Sequence, residues 1–184
     1  MNPRTGYQVL LQVANLSKDF TLKDFKKFET EKRIVLYLDR KERKGKCSNC
    51  GAVCDKIHSK DTIKARDLSI SGYSVLLVFD RFTVKCAQCK RAVVEDFWLV
   101  RNKKHSFTWR YECHISRMTE EMPNISVARL EGLNDKTVFN LDFELLQHRL
   151  ERQQLPKTLG PHYSMDEVYY RHFYPGDPRK ETSF

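Results

Sequence analysis

The sequence predicts an α+β chain: a small β-rich zinc ribbon followed by a helical helix-turn-helix domain. Three observations carry this. Two Cys-x-x-Cys pairs, Cys47/Cys50 and Cys86/Cys89, are separated by 35 residues. The stretch between them alternates apolar and polar residues, the period of a half-buried strand. Beyond residue 104, Phe107, Tyr111, Ile115 and Met118 recur at helical spacing. The 184 residues suffice for one large domain or two small ones. The expected divisions are 1–40 (a helix and strands), 41–104 (the zinc ribbon), 105–155 (the helix-turn-helix) and a tail, 156–184.

The first expected element near the ribbon is a strand over 32–39. The basic run Arg40-Lys41-Glu42-Arg43-Lys44-Gly45-Lys46 then leads into Cys47-Ser48-Asn49-Cys50-Gly51. A tight turn after the first cysteine aims both thiolates at one point, and glycine tolerates the positive φ such a turn needs. Two such turns facing each other complete a tetrahedral four-sulfur shell, which suits Zn²⁺. Such a site is closed and structural, since four thiolates leave no open position. A redox dithiol would need only one pair and a βαβ setting. Disulfides would need an oxidising compartment. None is expected, because Tyr7 to Leu16 is broken by Gln8, Gln12 and Asn15 and lacks a signal-peptide cleavage site. Cys54 is a fifth candidate that could compete with Cys50, or a small buried hydrophobe. Cys113 reads as core, and His58 is left without a coordination role.

Between the pairs, a strand is expected over 62–70, a turn at Gly72, and a longer strand over 73–86. In that strand Val75, Leu77 and Phe79 alternate with Leu76, Val78 and Asp80. The stretch 92–99 is β-rich again. Ser106 is the expected N-cap of the first helix, and Pro123 ends it. Asn124 to Leu141 then reads as helix-turn-helix. Ala128 is small where the helices cross, Gly132 makes the turn and Asn134 caps the second helix. Val138, Leu141 and Leu145 form its buried face. Glu131 stands where an apolar residue is usual. A second stripe, Phe139, Phe143, Leu146 and Leu150, runs along the same helix, which is expected to reach about residue 154.

Charge is unevenly spread. The net is +9, but residues 31–111 carry 19 Lys/Arg against 9 Asp/Glu, a net of +10. Residues 112–155 carry 5 against 8, a net of −3. A basic segment of that size suits a polyanion, most often nucleic acid. The residues expected to contact phosphates are Arg40, Lys41, Arg43, Lys44, Lys46, Arg81, Lys85, Lys90 and Arg91. Lys136, Thr137 and Asn140, with Asn134, are those that could reach base edges. The plainer alternatives are a solvated basic linker and a helical hairpin used for packing or dimerisation. No apolar run approaches the ~20 residues of a membrane span.

The order of parts also carries a resemblance. The Cys47-x-x-Cys50-Gly51 knuckle, Arg66-Asp67-Leu68, Arg81-Phe82-x-x-x-Cys86 and Met165-Asp166-Glu167-Val168 together resemble bacterial insertion-sequence DDE transposases of the ISL-three type. The resemblance covers residues 30–174. It implies DNA binding at the element's terminal inverted repeats, for transposition. It implies a bacterial, cytoplasmic and nucleoid-associated protein, with a possible homodimer through the helical region. It makes 156–184 the truncated start of an RNase H-like catalytic domain, with Asp166 matching the first metal-binding carboxylate. Two-metal phosphodiester chemistry needs further carboxylates. Mg²⁺ is therefore expected only in a full-length transposase, and no catalysis is expected from this chain alone. The alternative function is a zinc-stabilised interaction or dimerisation module without base-specific recognition.

Overall fold

One sheet organises the β-rich part. In the computed structural model, which describes residue 11, residues 15–100 and residues 107–152, seven strands precede three helices. The strands are β1 (Phe20–Phe28), β2 (Arg33–Arg40), β3 (Gly45–Lys46), β4 (Val53–Cys54), β5 (Ile57–Ile70), β6 (Tyr73–Lys85) and β7 (Ala92–Val94). The sheet order is β1-β2-β6-β5, with β7 also on β6, while β3 and β4 form a separate hairpin. β2 and β6 run parallel, and the other pairs are antiparallel. The sheet therefore crosses the boundary expected at residues 40 and 41. Of the expected N-terminal helix, only the buried Leu11 lies within the described residues.

The period-two pattern works as expected. Val75, Leu77 and Phe79 of β6 join Ile34, Leu36 and Leu38 of β2 in one core, closed by Phe20, Phe97 and Leu99. Phe20, Phe79 and Phe97 pack with centroids 5.3–5.9 Å apart, within the range favoured by aromatic pairs. The strand expected from 62 begins at Ile57, because the hairpin partner β6 continues to Lys85 and keeps the pairing going. The β-rich stretch 92–99 is a strand only over Ala92–Val94. Past it the chain leaves the ladder, and Phe97 and Leu99 enter the core.

The helices are α1 (Trp109–Thr119), α2 (Asn124–Glu131) and α3 (Asp135–Arg152). Thr108, not Ser106, caps α1. Its hydroxyl accepts from Tyr111 N at 3.3 Å and donates to Asp67 at 2.7 Å; Ser106 lies outside the described residues. Gly132 ends α2 with φ +60°, and the N–H groups of Gly132 and Leu133 both return to Ala128 O, a left-handed glycine cap. Asn134 Oδ1 accepts from Lys136 N at 2.9 Å, opening α3. Tyr111, Ile115, Val127, Ala128, Val138 and Leu141 form the helical core, and Leu68 of β5 packs against it. The sheet and the helices are joined by ions as well: buried Asp67 binds the Arg110 guanidinium through both carboxylate oxygens.

Candidate metal centre and nucleic-acid interface

The two knuckles are built alike. In the first, Gly51 N donates to Cys47 O and Cys47 N to Ala52 O. In the second, Cys86 N donates to Arg91 O, and Cys89 N reaches Cys86 Sγ at 3.4 Å. The residue after each second cysteine is left-handed, with φ +74° at Gly51 and +53° at Lys90. The first knuckle closes the β3–β4 hairpin and the second closes β6–β7. A bridge from Cys47 to Glu95 and a bond from Asp96 N to Lys46 O hold the hairpins together. Gly45 permits that approach: a Cβ there would lie 2.6 Å from Val84 Cγ1 and 2.9 Å from Glu95 Oε2.

The sulfurs of Cys47, Cys50, Cys86 and Cys89 all lie within 4.8 Å of one another. Cys47–Cys89 is 4.0 Å and Cys50–Cys86 is 3.6 Å. Zn–S bonds of ~2.3 Å in a tetrahedron require S–S edges of about 3.8 Å, so the four residues fit a metal ion of that kind. The protonation chemistry points the same way. The Cys89 N–H holds the Cys86 thiol down, to about 6. The neighbouring Cys50 sulfur, with burial adding to it, pushes Cys89 up to about 12. Four sulfurs this close cannot all ionise without a cation among them. Cys54 stands apart from the set. It is buried, its thiol donates to Ala52 O at 3.6 Å, and it packs with Phe82 and Val84. His58 is exposed and Cys113 half-buried on α1.

The basic residues divide into two groups. Lys41, Arg43, Lys44, Lys46, Lys85, Lys90 and Arg91 are exposed. Arg40 and Arg81 face inward, which corrects their expected place at a phosphate surface. The Arg40 side chain is 10% exposed and donates to Glu95 Oε1 at 2.9 Å. Its guanidinium lies 4.1 Å from the Phe97 ring centroid and 4.8 Å from that of Phe82. Arg81 is buried and donates to Glu95 O, and burial lowers its pKa. Both cations are consumed around Glu95, a buried carboxylate that also accepts from Phe82 N at 2.8 Å. Arg81 continues the Val75, Leu77 and Phe79 face of β6, so alternation alone turns it inward; its charge is what suggested the surface.

Lys56 is the residue that sequence reasoning missed. It lines a cleft of about 540 Å³ with Lys85, Lys90, Cys54 and Cys86. Its carbonyl accepts from Lys85 N at 2.9 Å. Counting back from the Ser71-Gly72 turn would place Lys56 opposite Ala87. Two register shifts in β5 place it beside Lys85 instead.

Lys136 is exposed, and Thr137 and Asn140 are half-buried, all in the first turns of α3. Phe139, Phe143 and Leu146 are between 42% and 49% exposed, with the two phenyl rings stacked. The Leu150 side chain and Asp166 lie outside the described residues. Among the described residues no helix is long and apolar enough to cross a membrane.

Comparison with known proteins gives one informative relative. The chain is 28% identical over 135 residues, 73% of its length, to a transposase for insertion sequence element IS1001 from Bordetella parapertussis. The match covers 32% of that relative, so the chain spans about a third of its length. The similarity is to a transposase of the insertion-sequence type and does not single out the ISL-three type. No family model matches the chain, and no solved structure matches it.

Proposed function

We propose that this chain binds double-stranded DNA as the recognition part of an insertion-sequence transposase, at the element's terminal inverted repeats, and that one structural Zn²⁺ holds its ribbon together. The observation that carries the reading is the basic surface around the four-cysteine cluster. Lys56, Lys85 and Lys90 line the cleft at the knuckles, with Asp55 as its acid, and Lys46 and Arg91 are exposed beside Cys47 and Cys89 in the chain. The similarity to a transposase for an insertion element supports the same reading. A bound Zn²⁺ would supply no chemistry to substrate. It would fix the two hairpins and thereby the spacing of these cations. The first turns of α3, with Lys136, Thr137 and Asn140, are the segment that reads base edges, as the second helix of a helix-turn-helix does. The protein then works in the bacterial cytoplasm, on the nucleoid.

We assign no catalysis to Asp166: it is one carboxylate matched by resemblance, and two-metal chemistry needs several. Metal-dependent nicking that is lost in Asp166→Ala would overturn this.

Salt titration tests the main reading. DNA affinity should fall linearly in log K against log salt, by about 0.9 per phosphate neutralised. A second reading, self-association through the helical region, is favoured by the exposed Phe139–Phe143–Leu146 stripe. Apolar association would be nearly insensitive to salt. A chain that self-associates and shows no affinity for any duplex at low salt would sink the DNA reading.

A further inference from the structure

A second cleft, of about 710 Å³, opens between the first knuckle's hairpin, Trp98 and α3, which contributes His148. Trp98 is 45% exposed. Its indole N–H donates to Asp19 Oδ2 at 2.9 Å, and its ring centroid lies 6.0 Å from that of Phe97. The ring is thus fixed while nearly half its surface stays open. Among the described residues, no other tryptophan, tyrosine or phenylalanine lines this cleft besides Phe97.

The ionic lining is balanced. Arg40 and Glu95 neutralise each other. Lys18, Lys44 and Lys46 are matched by Asp19, Glu42 and Asp96. A phosphate would gain little from such a lining. A flat heteroaromatic ring with donors and acceptors on its edge suits it well. The cleft also shares Lys44 and Lys46 with the basic run assigned above to phosphates.

We propose that this cleft takes one unpaired nucleobase, stacked on Trp98, from a strand whose phosphates lie outside it on the exposed residues of the neighbouring basic run. The inference rests on the DNA-binding reading and deepens it. The ligand class is DNA with unpaired nucleotides at an end or gap, because a base inside an intact duplex has no free face to offer.

The test compares a blunt duplex with the same duplex carrying a thymidine overhang, using the full zinc-loaded chain. The overhang should bind more tightly and quench tryptophan emission. Trp98→Ala should weaken overhang binding by about 5- to 100-fold, the range of base–aromatic stacking, and leave blunt-duplex binding within about twofold. Trp98→Phe keeps a ring, so it should retain most of the overhang preference while losing the emission change. Equal affinity for both DNAs with no quenching overturns the inference and leaves the duplex reading standing. Equal weakening of both by Trp98→Ala, in a variant with unchanged zinc content and circular dichroism, also overturns it. Failure to bind any DNA overturns both readings.

Discussion

The Arg66 guanidinium of β5 reaches across 65 residues to Glu131, donating to its carbonyl at 2.6 Å and lying 3.4 Å from its carboxylate. Tyr111 O–H donates to the same carboxylate at 2.9 Å, and His114 Nε2 lies 3.3 Å from it. Glu131 ends α2, at the position where a helix-turn-helix usually has an apolar residue. Here the position faces the sheet, and the carboxylate ties β5, α1 and α2 together. Desolvation and the Glu131 charge push the Tyr111 phenol well above its usual range, so it remains a donor at any physiological pH.

Glu131→Ala should therefore destabilise the protein by about 1–3 kcal/mol, the cost of leaving half-buried donors unsatisfied. Glu131→Leu separates this account from the usual one. If an apolar residue suited the position, Leu would stabilise. The contacts of Arg66 and Tyr111 require that it destabilise as Ala does. Urea denaturation of the two variants against wild type decides between them.

Metal removal is the second test. Purified protein should carry about one Zn²⁺ per chain, and a strong chelator should unfold the hairpins around Cys47 and Cys86. Cys47→Ser and Cys86→Ser should abolish metal retention. Cys54→Ser and Cys113→Ser should not, since neither sulfur belongs to the group of four. Full zinc content in Cys86→Ser would refute the ligand assignment.

Spacing and period made much of this legible. Two Cys-x-x-Cys turns can satisfy each other only by meeting, and they meet. Val75, Leu77 and Phe79 could share a core only on one face of a strand. Gly132 and Ala128 marked a turn that the backbone makes. What stayed hidden depends on partners distant in sequence. Arg40 reads as part of a basic run, because nothing near it announces that Glu95 and Phe97 will close over it. The parallel pairing of β2 with β6 has no local signal, since no short turn joins the two strands. Thr108 caps α1 with a hydroxyl fixed by Asp67, on another element, a partner that no local pattern announces.

The burial of Arg40 yields a third prediction that divides the basic run. Arg40→Ala leaves Glu95 buried without its cation, which should cost about 3–5 kcal/mol of stability. Lys41, Arg43 and Lys44 are exposed, and the Lys44–Asp55 pair at 3.7 Å is a surface contact worth little. Neutralising these three together should leave the denaturation midpoint nearly unchanged. It should weaken binding to every DNA sequence and flatten the salt slope by about 2–3. If Arg40→Ala instead leaves stability unchanged, the inward assignment of that residue is wrong.

The last prediction concerns how affinity and sequence preference divide. Residues 31–111 carry the excess positive charge, while 112–155 are net negative. On the proposed reading, long-range attraction to DNA therefore comes from the ribbon, and α3 would enter a groove against its own net charge. Asp135 and Glu144 lie near the proposed face, and Asp135 accepts from Lys136 N; Asp142 lies on another side of the helix and accepts from Ser116 at 2.6 Å. With its carboxylate bonded inward, Asp142 is occupied within the bundle. Asn140 is half-buried two positions before Asp142, with its amide able to pair with an adenine edge, an interaction worth ~1–3 kcal/mol of discrimination. Asn140→Ala should then leave binding to random duplex within about twofold and reduce the preference for the terminal-repeat duplex by about 5- to 100-fold. Lys136→Ala should lower binding to both, with a salt-slope change of about 1. Competition binding of a terminal-repeat duplex against random duplex at two salt concentrations measures both effects. If Asn140→Ala removes all binding while the triple change in the basic run does nothing, α3 carries the affinity despite its charge, and the division proposed here fails.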